Sequence, residues 1–192
     1  MTEIASARDS VKVLAEFEYR PAPGLVAAVR EELEVLFAST GIKVDLSQIA
    51  TRPLRGPKQR AAVVYFVSRC VPPAPVLAKP DLAPQTLAFV RTAGDRILDL
   101  VEVDCTAVSR YISCALRQYD SRRLDSLYRR ALARVVAHEL LHWIMNEKGH
   151  SMSRLFRPQV DAIDLVADGV ELGEDELARL RGLHAHEAAD GF

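Results

Sequence analysis

The segment VVAHELLHWIMNEKGHS, Val135 to Ser151, places His138 and His142 four residues apart, with Glu139 beside the first. On an α-helix, positions i and i+4 share a face, so both imidazoles can aim at one point roughly 2.0–2.1 Å from each nitrogen, as zinc requires. Glu139 stands about 100° round the helix from His138. That keeps it out of the ligand set but beside a water on the metal, where a carboxylate serves as general base. A catalytic zinc also needs a third protein ligand and an open fourth position. His150 is the first candidate, because Gly149 can take the left-handed conformation that ends a helix and lets the chain fold back. Asp161 and Asp164, further downstream, are the carboxylate alternatives.

The residues around this group weigh chemistry against packing. Leu132, Val136, Leu140, Leu141, Trp143 and Ile144 make the helix apolar almost all round, so it reads as buried. Two histidines and a glutamate in that setting each need a partner, at a cost of about 1–3 kcal/mol for each one missing. One metal ion serves all three, and burial therefore favours a metal site over ordinary core histidines.

The elements that position the group follow from periodicity. Val11, Val13, Ala15 and Phe17 alternate with polar residues over Val11 to Tyr19, which predicts a half-buried strand. Leu25, Val29, Leu33 and Leu36 recur at helical spacing, and Gly41 supplies the stop. IKVDL, Ile42 to Leu46, alternates again and completes a β-α-β start; RAAVVYFVS, Arg60 to Ser68, reads as a longer apolar strand. Five prolines between Val71 and Pro84 predict an irregular rim. DRILDLVEVD predicts one more strand, with a turn or short helix after Asp104. The longest helix is expected from about Ser121 to Lys148, with Asp120 or Ser121 as N-cap, and a last helix follows Gly173. The expectation is one α+β domain over residues 1–192: the sheet and first helix in 11–120, the metal helix and C-terminal part in 121–192.

Composition narrows the partners. The chain has 192 residues, 49% hydrophobic and 27% charged, with net charge −1, which gives no general pull towards nucleic acid or an anionic membrane. Arg117, Arg122, Arg123, Arg129, Arg130 and Arg134 make the first half of the long helix basic, but Asp120 and Asp125 interleave, so a solvated face with internal ion pairs is expected. His184 and His186, two apart, point to different sides of a helix. Tyr111 and Tyr119 are possible oxyanion donors, better read as ordinary half-buried tyrosines. The three cysteines lack CxxC spacing, which leaves one Cys105–Cys114 bridge open. The N-terminal residues contain Glu3 and Asp9 and no apolar run, so a soluble protein is expected, cytoplasmic as the sequence stands, with export left open. No pattern sets an oligomeric state.

At the histidine segment the sequence resembles the zincin metallopeptidases, and within them the metzincin-like branch, where a helical H-E-x-x-H is followed by a third histidine after a glycine turn. VVAHELLHWIMNEKGHSMSRLFRPQVDAIDL resembles small bacterial metallopeptidase-like proteins whose segment runs roughly A-H-E-x-G-H-x-L-L-G, then H-S-x-x-G-L-M-R-P and an acidic helix start. LGEDELARLR, Leu172 to Arg181, resembles their last helix. The resemblance covers the final third of the chain. It implies a zincin-like arrangement, a small mixed twisted sheet packed on the long helix and an N-terminal helix. It further implies Zn2+ held by His138, His142 and His150, Glu139 as general base and proton shuttle, and a peptide or protein substrate. That substrate would lie along an edge strand, expected to be the last strand before the long helix. Met145 and Lys148 stand where the signature has its glycine and third histidine, and Arg154 and Phe156 replace the later glycine and methionine. These departures set the second expectation, a zinc-binding domain with a structural or interaction role.

Overall fold

A computed structural model describes residues 10–49, 61–73, 86–113, 115, 116 and 119–189. The first alternating stretch forms strand β1 (Ser10–Phe17), with Val13 and Ala15 fully buried and Val11 and Phe17 packed at the margin. Helix α1 (Leu25–Phe37) turns Leu25, Val29, Leu33 and Leu36 inwards, and Gly41 takes a positive φ of 79° where the chain reverses. Strand β2 (Lys43–Gln48) returns parallel to β1 on one side, and β3 (Ala61–Val67) lies parallel to it on the other. Val44, Leu46, Ala62, Val64 and Phe66 are the buried positions of these two strands, the period-2 pattern of a sheet with one face on the core.

Two further strands complete a five-stranded sheet of order β2-β1-β3-β5-β4. The expected strand in DRILDLVEVD is β5 (Arg96–Asp104), parallel to β3, with Ile97, Val101 and Val103 inward. Strand β4 (Ala88–Ala93) was not expected; it pairs antiparallel with β5 across the two-residue turn Gly94-Asp95. Gly94 has a positive φ of 59°, which tight hairpin turns require and glycine adopts freely. β4 is therefore the edge strand, and the expectation that the last strand before the long helix forms the edge is corrected: β5 is covered on both sides. The architecture is α+β, as expected.

Asp104 ends β5 and caps α2 (Cys105–Ile112), its carboxylate accepting from the N–H groups of Thr106 and Ala107. The long helix α3 (Ser121–Met145) starts at Asp120, whose carboxylate accepts from Arg123 N–H at 2.9 Å. It packs on α1 and beneath β3, β4 and β5, and its stretch from Ala131 to Ala137 is buried throughout. The short α4 (Ala162–Val166) and α5 (Glu174–Ala189) pack against it. Of the basic side chains of α3, Arg129 pairs within the helix with Asp125 at 2.8 Å, but Arg130 pairs with Asp168 beyond α4 at 2.6 Å, and Arg134 corrects the expected solvated face: it is buried and pairs with Glu32 of α1 at 3.1 Å, because α1 packs on this turn of α3. Arg117 and most of the proline-rich stretch lie outside the described residues, as do the side chains of Arg122, His184 and His186. No helix among the described residues is long and apolar enough to cross a membrane.

Cys105 is fully buried, but its partner is Cys70, not Cys114; the disulfide joins the end of β3 to the start of α2 across a sequence separation of 35. Spacing left a bridge to the nearer cysteine open, whereas the parallel pairing of β3 with β5 brings the distant one alongside. Closing a loop of that length restricts the unfolded chain by about 4 kcal/mol. Urea unfolding with and without reductant should therefore differ by about 2–4 kcal/mol, and equal midpoints would show that the bridge does not hold the fold.

Candidate metal centre

His138 and His142 project from one face of α3, their ring centroids 5.1 Å apart. Each ring is fixed through its Nδ1: His138 bonds the carbonyl oxygen of Leu155 at 2.7 Å and His142 that of Glu147 at 2.7 Å. A carbonyl only accepts, so in both rings Nδ1 carries the proton and Nε2 presents a lone pair. His142 Nε2 lies 3.2 Å from Nε2 of His150. One ligand atom from each of the three histidines lies within 4.8 Å of the others. Two nitrogens on one tetrahedral ion stand about 3.3 Å apart at zinc's bond length, so the set needs only a small closure to grip a cation. These residues could hold a metal ion, and two of their Nε2 lone pairs have their tautomer already fixed by the backbone.

Electrostatics favour the same use. Burial pulls the pKa of His138 down to about 4, against the Leu155 bond, and the neighbouring imidazoles lower it further. Burial also lowers His142, which is 5% exposed, and His150. Neutral imidazoles are what a metal binds.

The chain reaches this geometry by a different turn from the one expected. α3 ends at Met145, and Asn146 takes the left-handed conformation with φ 50° and ψ 42°, while Gly149 has no positive φ. The reversal thus comes three residues early, on asparagine, one of the few non-glycine types that adopt this conformation. Lys148 donates from Nζ to the Gly94 carbonyl at 2.8 Å, tying the β4–β5 hairpin to the segment that carries His150. Asp161 and Asp164 do not join the histidines. Asp164 is buried and accepts from Arg154 at 2.6 and 3.0 Å and from Arg157; Asp161 pairs with Arg157 at 2.5 Å. Arg154, which departs from the resemblance, therefore anchors the loop after His150 to α4.

Phe156 forms the floor. It is 0% exposed, with its ring centroid 4.6 Å from His142, 5.3 Å from His138 and 5.5 Å from His150. Its backbone closes the loop: Ser151 N–H donates to the Phe156 carbonyl at 2.9 Å, and Phe156 N–H to Ser153 Oγ at 3.1 Å. The preceding Leu155 supplies the carbonyl that orients His138, so one turn sets both floor and ring.

Glu139 is 8% exposed and lines the same cavity as the three histidines. Burial raises its pKa to about 7, opposed by a hydrogen bond from the backbone of Val90 on β4. The cavity, about 520 Å³, is lined by the metal residues, by Thr86 to Val90 and by Pro158, Gln159 and Val160. Tyr111 also lines it, but its hydroxyl donates to the Val160 carbonyl at 2.8 Å. Sequence reasoning missed the β4 wall and Val90. The turn Gly94-Asp95 between two apolar runs was the signal that could have found them. Against known proteins, the chain matches no family model and no curated protein.

Proposed function

We propose that the chain is a zinc-dependent metallopeptidase of the zincin type. The observation that carries this reading is the convergence of three neutral imidazoles beside a buried carboxylate, in the wall of a cavity bordered by an edge strand. A metal that only held the fold together would need no such carboxylate and no open approach. Nitrogen donors suit zinc among the common divalent ions. Bound at His138, His142 and His150, zinc would supply Lewis acidity towards a water and a peptide carbonyl.

The chain's own groups do the rest. Glu139 takes the proton of the attacking water and returns it to the leaving amine, a shuttle suited to a carboxyl whose pKa lies near 7 without metal. β4 offers its outer edge to an extended peptide by strand addition. Phe156 keeps the floor dry.

A second reading, a metal-binding domain without turnover, is favoured by one feature: the bulky Phe156 packs against all three rings where a flexible methionine is expected. As for location, the disulfide supports an oxidising compartment over the cytoplasm. The test uses untagged protein. About one zinc per chain should survive gentle purification; chelation should abolish cleavage of a peptide library, and added zinc should restore it. Protein that carries no metal at any stage would refute the proposal.

A further inference from the structure

The lining of the metal cavity changes character along α3. His142, His138 and Glu139 mark one end, and Arg134, eight residues before His142, lies about 12 Å away along the helix axis. Arg134 is 2% exposed and all three of its guanidinium nitrogens are engaged: Nε and Nη2 pair with Glu32 of α1 at 3.2 and 3.1 Å, and Nη1 donates to the Asp164 carbonyl at 2.7 Å. Its charge is therefore balanced, and by a carboxylate that does not line the cavity. The other lining residues at this end are Val135 of α3, Leu165 next to the carbonyl that Arg134 holds, and Val160, which leads into α4. This end is neutral and apolar.

Tyr111 belongs to the same end. Its helix, α2, packs on α3 and α4, and starts beside the part of α3 that precedes the metal residues: the Tyr128 hydroxyl donates to the Cys105 carbonyl at 3.2 Å. From the last turn of α2, Tyr111 lines the cavity and reaches the segment before α4, where its hydroxyl donates to the Val160 carbonyl at 2.8 Å. With the hydroxyl so engaged, what Tyr111 offers the cavity is its ring. Swinging that ring aside would break a hydrogen bond that apolar surroundings do not replace.

We propose that Tyr111 determines substrate specificity by barring this end of the cavity, which then takes an uncharged, apolar substrate side chain only up to the length that meets the ring. The inference rests on the metallopeptidase reading and adds the substrate class to it. Each methylene that enters gains affinity by leaving water, until the chain touches the ring; a longer one must displace Tyr111 from Val160. A charged tip would lose its water and find no counter-charge, since Arg134 and Glu32 already satisfy each other.

Zinc-loaded Glu139→Gln protein is titrated with capped alanine-rich peptides that carry, at one scanned position, an unbranched alkyl side chain of increasing length, or Glu or Lys; the wild type is assayed for cleavage of the same set. At the responsive position affinity should rise about 4-fold per added CH₂ up to a break and fall beyond it, and cleavage should show the same break. Glu and Lys should bind more weakly than alkyl chains of similar length. In the same background Tyr111→Leu should move the break to longer chains and Tyr111→Trp to shorter ones, with zinc content unchanged, so either variant that folds decides the matter. A break that stays in place in a zinc-loaded Tyr111 variant overturns this inference and leaves the peptidase reading standing. So does a wild-type series without a break, or one in which Glu or Lys binds best. Zinc-loaded protein that neither binds nor cuts any peptide overturns both.

Discussion

Glu139→Gln should leave zinc stoichiometry unchanged and lower turnover by at least about 10²–10⁴-fold. The substitution preserves shape and keeps an acceptor for the Val90 hydrogen bond, while the amide cannot take a proton. The fold should not suffer, because a carboxyl whose pKa is raised by burial gains by becoming neutral. Stability should therefore hold or rise as activity falls, which separates a lost catalytic group from a damaged structure. Peptide cleavage at equal rates by variant and wild type would defeat the shuttle mechanism and move the weight to the second reading, a metal that stabilises without reacting.

His142→Ala should remove the metal itself. His142 carries two of the site's constraints: its Nδ1 holds the Glu147 carbonyl and its Nε2 faces that of His150. Loss of an orienting partner alone weakens a metal site about 10–100-fold, and loss of a ligand should exceed that. The measurement is the melting temperature with and without zinc. An ion that binds only the folded state at about 100 times its dissociation constant adds about 2.7 kcal/mol. The wild type should gain stability on zinc addition and the variant should not. Because His142 is buried, the variant also loses packing; comparing both proteins in chelator isolates that part. His150→Ala repeats the test at an exposed position with little packing to lose. Retention of stoichiometric zinc by either variant would reject the three-histidine assignment.

Local spacing made much of this molecule legible. The period of 2 in β1, β2 and β3 and the stripe of Leu25, Val29, Leu33 and Leu36 on α1 emerge as buried faces because a sheet with one covered side leaves little choice of register. β4 was missed for the complementary reason: as an edge strand it is mostly exposed, so its residues show no apolar alternation. The end of α3 was misplaced because glycine is the usual left-handed residue, whereas Asn146 takes that role and Gly149 does not. The Cys70–Cys105 pairing was not legible because neighbours in a parallel sheet are distant in sequence.

What the sequence determined by itself is the pair His138 and His142, Glu139 beside them, and the apolar helix that carries them, since four residues of helix geometry set their mutual placement. His150 was reachable as a candidate, but only the tertiary structure separated it from Asp161 and Asp164, by committing Asp164 to Arg154 and Arg157 and Asp161 to Arg157. The carbonyls of Leu155 and Glu147 that fix the ring tautomers, the Phe156 floor, the Val90 contact and the buried Arg134 in the cavity wall were also decided there. The reason is physical: ligand types and helical spacing are local properties of the chain. Burial, and which backbone groups face a ring, arise when segments far apart in sequence pack together.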